Sequence, residues 1–227
     1  MRTPAALARV PLWGWGAGAV VVAGLAVAVV VFTGGKESVA ATMRAAGCTY
    51  EDTIPYPPKD ESTLANYHDD LPTLTTKARW RTFPPSGGSH YRLWAVWGFY
   101  RKPVNPREVV HNEEHGGVVI WWGPRVPEAT VDELARFYHQ SPVGMFGTPI
   151  AGLGDRIALA AWNADPRWKG DPAFAYKNGY YGIGRLAICP RFDQKAFAAF
   201  RKAYRGRSPQ GFPLSADRPG CGPDRSC

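Results

Sequence analysis

Residues 12–32 carry no charge and are dominated by Val, Ala and Gly. At about 1.5 Å per residue a helical run of this length reaches roughly 31 Å, the hydrocarbon thickness of a bilayer. A chain that contains it is expected to be tied to a membrane, and this decides where everything after it must fold. Arg2 and Arg9 precede the run with no acidic residue beside them. The positive-inside rule therefore leaves residues 1–11 in the cytoplasm and carries the chain beyond residue 32 to the far side. Trp13 and Trp15 fall where an interfacial aromatic belt belongs. Ser38-Val39-Ala40 has the small-x-small form of a cleavage site, but the apolar run exceeds the ~7–15 residues of a cleavable signal, so an uncleaved single-pass anchor in the cell membrane is expected. The lipid bilayer is the partner expected for residues 12–32.

The formal charge of +8 would by itself suit a nucleic-acid partner. Removing Arg2 and Arg9 leaves +6 on the exported part, with no dense basic run. Arg79 with Arg81, and Arg201, Lys202, Arg205 and Arg207, read as scattered solvated positions or loose contacts to anionic polymers, so no nucleic acid is expected. Nine Trp, ten Tyr and ten Phe supply a core for one domain. The four cysteines, Cys48, Cys189, Cys221 and Cys227, all lie beyond the anchor. Their even number suggests two disulfides in an oxidising compartment, with three pairings open. No CxxC pair is present, which speaks against thioredoxin-like chemistry and against a Cys-rich zinc site.

Beyond the anchor, residues 33–46 read as a small, polar tether, 47–212 as the exported domain and 213–227 as a Cys-containing tail. Three helices are expected. The first has Asn105 as N-cap, Pro106 at its first position, Glu108 in its first turn and Gly116 as its stop. The second covers 131–140, with Thr130 and Glu133 spaced as a capping box, and the third covers 193–204. Residues 118–122, 157–162 and 182–189 are apolar runs of strand length. This irregular alternation predicts an α+β fold with a small mixed sheet.

His111 and His115 stand one helical turn apart, the spacing at which two imidazoles reach a single ion. His90 follows Pro84-Pro85-Ser86-Gly87-Gly88-Ser89, a turn stiffened by proline and freed by glycine, which can bring a third imidazole to the helix end. Glu114 or Met145 would supply a fourth donor, and zinc or copper suits such a set. The alternative is that these histidines serve structure, bonded to the helix end and to Glu113 or Glu114. Residues 111–115 also fit HxxEH, in which Glu114 would activate water in a zinc hydrolase. That enzyme needs a further downstream ligand, commonly a Glu; the only glutamates after His115 are Glu128 and Glu133, with Asp155, Asp171 and Asp193 as possible substitutes. Ser86 and Ser89 lack a nucleophile elbow, and no phosphate-cradling loop is present. His68 and His139 are polar-flanked and read as exposed. The aromatic group around Trp94, Trp97, Phe99, Tyr100, Trp121 and Trp122 reads as core.

Three segments, Pro84-Pro85-Ser86-Gly87-Gly88-Ser89-His90, Trp97-Gly98-Phe99-Tyr100 and His111-Asn112-Glu113-Glu114-His115-Gly116-Gly117-Val118-Val119-Ile120, resemble the domain-of-unknown-function family 3105. That resemblance implies a membrane-anchored bacterial protein without an established reaction, and it carries His90, His111, Glu114 and His115 over as a His-lined site. Glu113 departs from the pattern, since an apolar residue is usual there; it would either add a carboxylate near the site or face solvent. The expected function is metal binding by a membrane-anchored extracytoplasmic protein, with a zinc hydrolase or a metal-free envelope interaction module as alternatives.

Overall fold

The computed structural model describes residues 38–54, 68–69, 78, 80–178, 180–214 and 218–222. The anchor expected at 12–32 lies outside them, and among the described residues no helix is long and apolar enough to cross a membrane. Residues from Glu37 onward form one compact unit. Its elements run α1 (Val39–Ala45), β1 (Thr49–Thr53), β2 (His68–Asp69), β3 (His90–Tyr91), α2 (Pro106–Glu114), β4 (Val118–Trp122), α3 (Glu128–His139), β5 (Met145–Pro149), β6 (Ile157–Asn163), α4 (Pro172–Lys177), β7 (Ile183–Cys189) and α5 (Gln194–Tyr204).

The expected α+β class holds, with five described helices rather than about three. The main sheet is mixed and five-stranded, ordered β1-β7-β6-β4-β5, and antiparallel except for the parallel pairing of β4 with β5. Its central strands β4 (VVIWW) and β6 (IALAAWN) are buried at every residue because both faces of the sheet are covered, which is why they read as unbroken apolar runs rather than as alternation. Val118, Ile120, Leu159 and Ala161 face one cluster with Leu134 and Phe137 of α3, Phe197 and Phe200 of α5, and Met43 of α1. Val119, Trp121, Ala158 and Ala160 face the opposite cluster with Trp97 and Val109. The second face is the one over which α2 lies.

Several local expectations change. The stretch read as a tether contains α1, capped by Ser38 and held by the fully buried Met43; its single large apolar residue gives too little periodicity to show in sequence. Helix α3 begins at Glu128 behind Pro127, so Thr130 does not cap it. At its other end Arg201 donates to the Phe137 carbonyl and Arg205 to that of Ser141. These arginines, read as solvated, bind the carbonyls at and just beyond the end of α3. Strand β1, the polar TYEDT, sits at an edge of the sheet where charge is tolerated. Cys48 bonds Cys189 across the β1–β7 end. Cys221 is also disulfide-bonded, with its partner outside the described residues, and no described cysteine is free.

Candidate metal centre

Helix α2 forms as its punctuation predicts. The Asn105 side chain accepts from the Arg107 N–H at 3.0 Å, and Pro106 occupies the first turn. At the other end the Gly116 N–H donates to the Glu113 carbonyl and the Gly117 N–H to that of Asn112. This paired closure needs a left-handed residue at Gly116, whose φ is +85°. Seven of the nine residues of α2 are buried, because the sheet lies under it, the 80–97 segment beside it and the 206–208 segment over its C-terminus. Ser208 donates its hydroxyl to the Glu114 carbonyl at 2.7 Å, and the Gly206 N–H donates to Gly116.

His90 arrives from the Pro-Gly turn. Gly87 and Gly88 take φ of +133° and +111°, values a side chain would disfavour, and residues 84–90 are all buried. The His90 Nδ1–H donates to the Gly88 carbonyl at 2.7 Å, and the His111 Nδ1–H donates to the Tyr91 carbonyl at 2.6 Å. A carbonyl can only accept, so in each neutral ring the lone pair is on Nε2, the tautomer a metal ligand requires. These two atoms meet one carboxylate oxygen. His90 Nε2 lies 3.2 Å and His111 Nε2 3.6 Å from Glu114 Oε2.

Burial, with the neighbouring His90 ring adding to it, pushes the His111 pKa down to about 3. The imidazole is therefore neutral and able to donate its lone pair. His90, His111 and Glu114 are all buried, and their ligand atoms lie within 4.8 Å of one another, a group able to hold a metal ion. His115 falls outside that mutual limit but reaches the group through His111, with the two Nε2 atoms 3.1 Å apart. Trp162 closes the site at His90, and Trp94 packs on both His111 and His115.

Met145 is not a donor. It lies on β5 within the cluster on the opposite face of the sheet. The downstream acids do not join the group either: Asp193 caps α5, Asp171 accepts from the Ala173 N–H, and Glu128 pairs with Arg101. The ligand atoms that converge are thus not the two histidines of HxxEH with an acid from further along the chain. The residue that the sequence reading passed over is Asn112. It is fully buried and bonds both backbone groups of Ala95, at 3.1 and 3.0 Å. That double bond fixes the segment following Tyr91, whose carbonyl orients His111. The backbone of His68 pairs in register with that of His90.

Glu113 neither faces solvent nor adds a donor. It is fully buried beside Trp121, and neither of its carboxyl oxygens makes a hydrogen bond. Desolvation raises its pKa well above the ordinary carboxylate range, which favours the neutral carboxyl. An unfolded Glu ionises near pH 4.3. The folded state is then the better proton binder above that pH, and the Glu113 contribution to stability, full below it, is lost as pH rises toward the folded value. Glu113→Leu is expected to stabilise the protein at pH 7 by about 1–3 kcal/mol, with a smaller gain near pH 4. Urea unfolding at the two pH values measures this; a variant no more stable than its parent at pH 7 contradicts it.

Fold and site together define an α+β domain with a buried two-histidine, one-carboxylate cluster at the end of a short helix. Residues 73–213 match the family described as protein of unknown function DUF3105, and the chain belongs to that family. No curated protein and no solved structure matches it significantly.

Proposed function

We propose that this protein binds a single transition-metal ion, zinc or copper, through His90, His111 and Glu114, with His115 next to His111 at the edge of the group, on a domain held outside the cytoplasm by a single-pass anchor at residues 12–32. One observation carries the metal reading. Ligands about 2.0–2.1 Å from a tetrahedral ion lie roughly 3.3 Å from each other. The His90–Glu114 and His111–Glu114 donor separations of 3.2 and 3.6 Å lie close to that length. The burial of these groups, the neutral state of His111 and the Nδ1–H bonds that fix the two rings all serve coordination. Binding is favoured over hydrolysis because Glu114, the general base of an HxxEH enzyme, sits with the ligand atoms themselves. Imidazole and carboxylate donors suit zinc and copper alike.

Elemental analysis of protein purified without chelator is expected to give about one equivalent of zinc or copper. Protein that arrives without metal, and binds neither ion in titration, overturns the reading. The disulfides support the exported location, since such bonds persist in oxidising compartments. A C-terminal reporter active only in the cytoplasm is expected to be silent, and the protein is expected to stay with the membrane fraction. A cytoplasmic signal, or release into the medium, excludes the anchored topology. The bilayer is the partner this reading supplies, and nothing in the charge pattern calls for nucleic acid.

A further inference from the structure

A cavity of about 530 Å³ opens outside the metal centre, lined by Asp165, Arg167, Trp168, Asn178, Tyr180 and Tyr181. Its size falls in the range of small-molecule sites. The wall is built in advance. Trp168 is held by its backbone N–H on the Asp165 carbonyl and by its indole N–H on that of Asp171. Tyr180 stacks on it at 4.9 Å and 28°, and Phe174 at 6.0 Å and 24°. A Cβ at Gly170 would lie 3.0 Å from the indole, so the ring also rests on bare backbone. Despite this fixing, Tyr180 remains 49% and Phe174 53% exposed. An ordered aromatic stack left open to solvent forgoes burial of its apolar faces, an arrangement that suits a ligand able to cover them.

The charges in the cavity say what kind of ligand this is. The buried Asp165 carboxylate receives Arg167 as a fork, with contacts of 2.6–3.0 Å. Among the described lining residues no other carboxylate, ammonium or guanidinium is present, and these two charges offset each other. The pair favours neither an isolated phosphate nor an isolated ammonium. What the cavity offers is flat aromatic surface rimmed by an amide, phenols and a pre-paired guanidinium. That combination matches a neutral molecule with hydroxyls at its edge and an apolar C–H face. From this we infer that the cavity is a saccharide-binding site, in which a pyranose ring lies on the exposed ring of Tyr180, backed by Trp168, while its hydroxyls meet Asn178 and the Arg167–Asp165 pair.

The test is calorimetric titration of the full chain, in a detergent without a sugar headgroup, with tetrasaccharides of β-1,4-linked N-acetylglucosamine, β-1,4-linked glucose and α-1,4-linked glucose. At least one is expected to bind saturably, with half-saturation below about 5 mM. Tyr180→Ala, a half-exposed position whose loss leaves the core intact, is expected to weaken that binding at least about tenfold, as is Trp168→Ala. Each variant is checked for an unchanged melting temperature, and Asn178→Ala, on the surface, serves where Trp168→Ala is unstable. His90→Ala is expected to leave saccharide binding unaltered, since no metal-centre residue lines the cavity. No binding by any of the three sugars, equal binding by the Tyr180 variant, or preferential binding of phosphocholine each overturns the proposal.

Discussion

Replacing His111 with alanine is expected to strip the protein of its metal, with the bound ion falling below about a tenth of an equivalent and affinity dropping at least about a hundredfold. Loss of a mere supporting partner costs about 10–100-fold, so loss of a donor exceeds that. His111 has this weight because its Nε2 lies near two other donors, Glu114 at 3.6 Å and His115 at 3.1 Å. His90→Ala and Glu114→Ala are expected to behave alike. His115→Ala should weaken binding less, since His115 reaches the group only through His111. His139, exposed at the end of α3, is the control and should change nothing. Thermal unfolding separates coordination from packing. Chelator is expected to lower the melting temperature of the parent and not that of the His111 variant, because only the parent gains stability from a bound ion. Equal melting temperatures with and without chelator in the parent would leave these histidines as buried hydrogen-bonding residues and end the metal reading.

The second large effect concerns the Cys48–Cys189 bridge, whose replacement by paired alanines is expected to cost about 2–5 kcal/mol, toward the upper part of the usual range. The bond joins residues 141 positions apart, and a closed loop of that length removes much freedom from the unfolded chain. It ties β1, a polar edge strand that begins at Thr49, to the end of β7 beside Ile188, where strand propensity alone is weak. Both sulfurs are buried, so reductant should reach them only as the edge opens. Urea unfolding of the oxidised parent against the double alanine variant measures the difference, and each single alanine variant should match the double. A change below about 1 kcal/mol would show that the sheet edge needs no tether.

The metal centre was half visible in the sequence. Helix α2 could be read because its signals are local: Asn105, Pro106 and Gly116 each act on backbone within one turn, and helical spacing then places His111, Glu114 and His115 on one face. The Pro-Gly turn before His90 showed the freedom of the chain but not its direction. Where that turn goes depends on burial of residues 84–90 and on Asn112 clamping Ala95, contacts between segments far apart in the chain. Met145 illustrates the reverse error, an apolar donor type that the pleat of β5 sends to the other face of the sheet.

Composition and local pattern by themselves determined the apolar run at 12–32, the α+β class, the central strands β4 and β6 and the ends of α2, because each depends on burial periodicity or on capping within a few residues. Tertiary structure alone decided the rest. Polar β1 is a strand only because β7 offers it a ladder, and α1 is a helix within the stretch read as tether because Met43 has a core to enter. Glu113 is a neutral, buried acid because α2 is covered on nearly every side, a fact that no one-dimensional pattern records. The short strand at His68 pairs with that at His90 because two segments of the chain meet there. Pairing and burial depend on which segments come together in space, and the sequence spaces those segments too far apart for any local signal to report it.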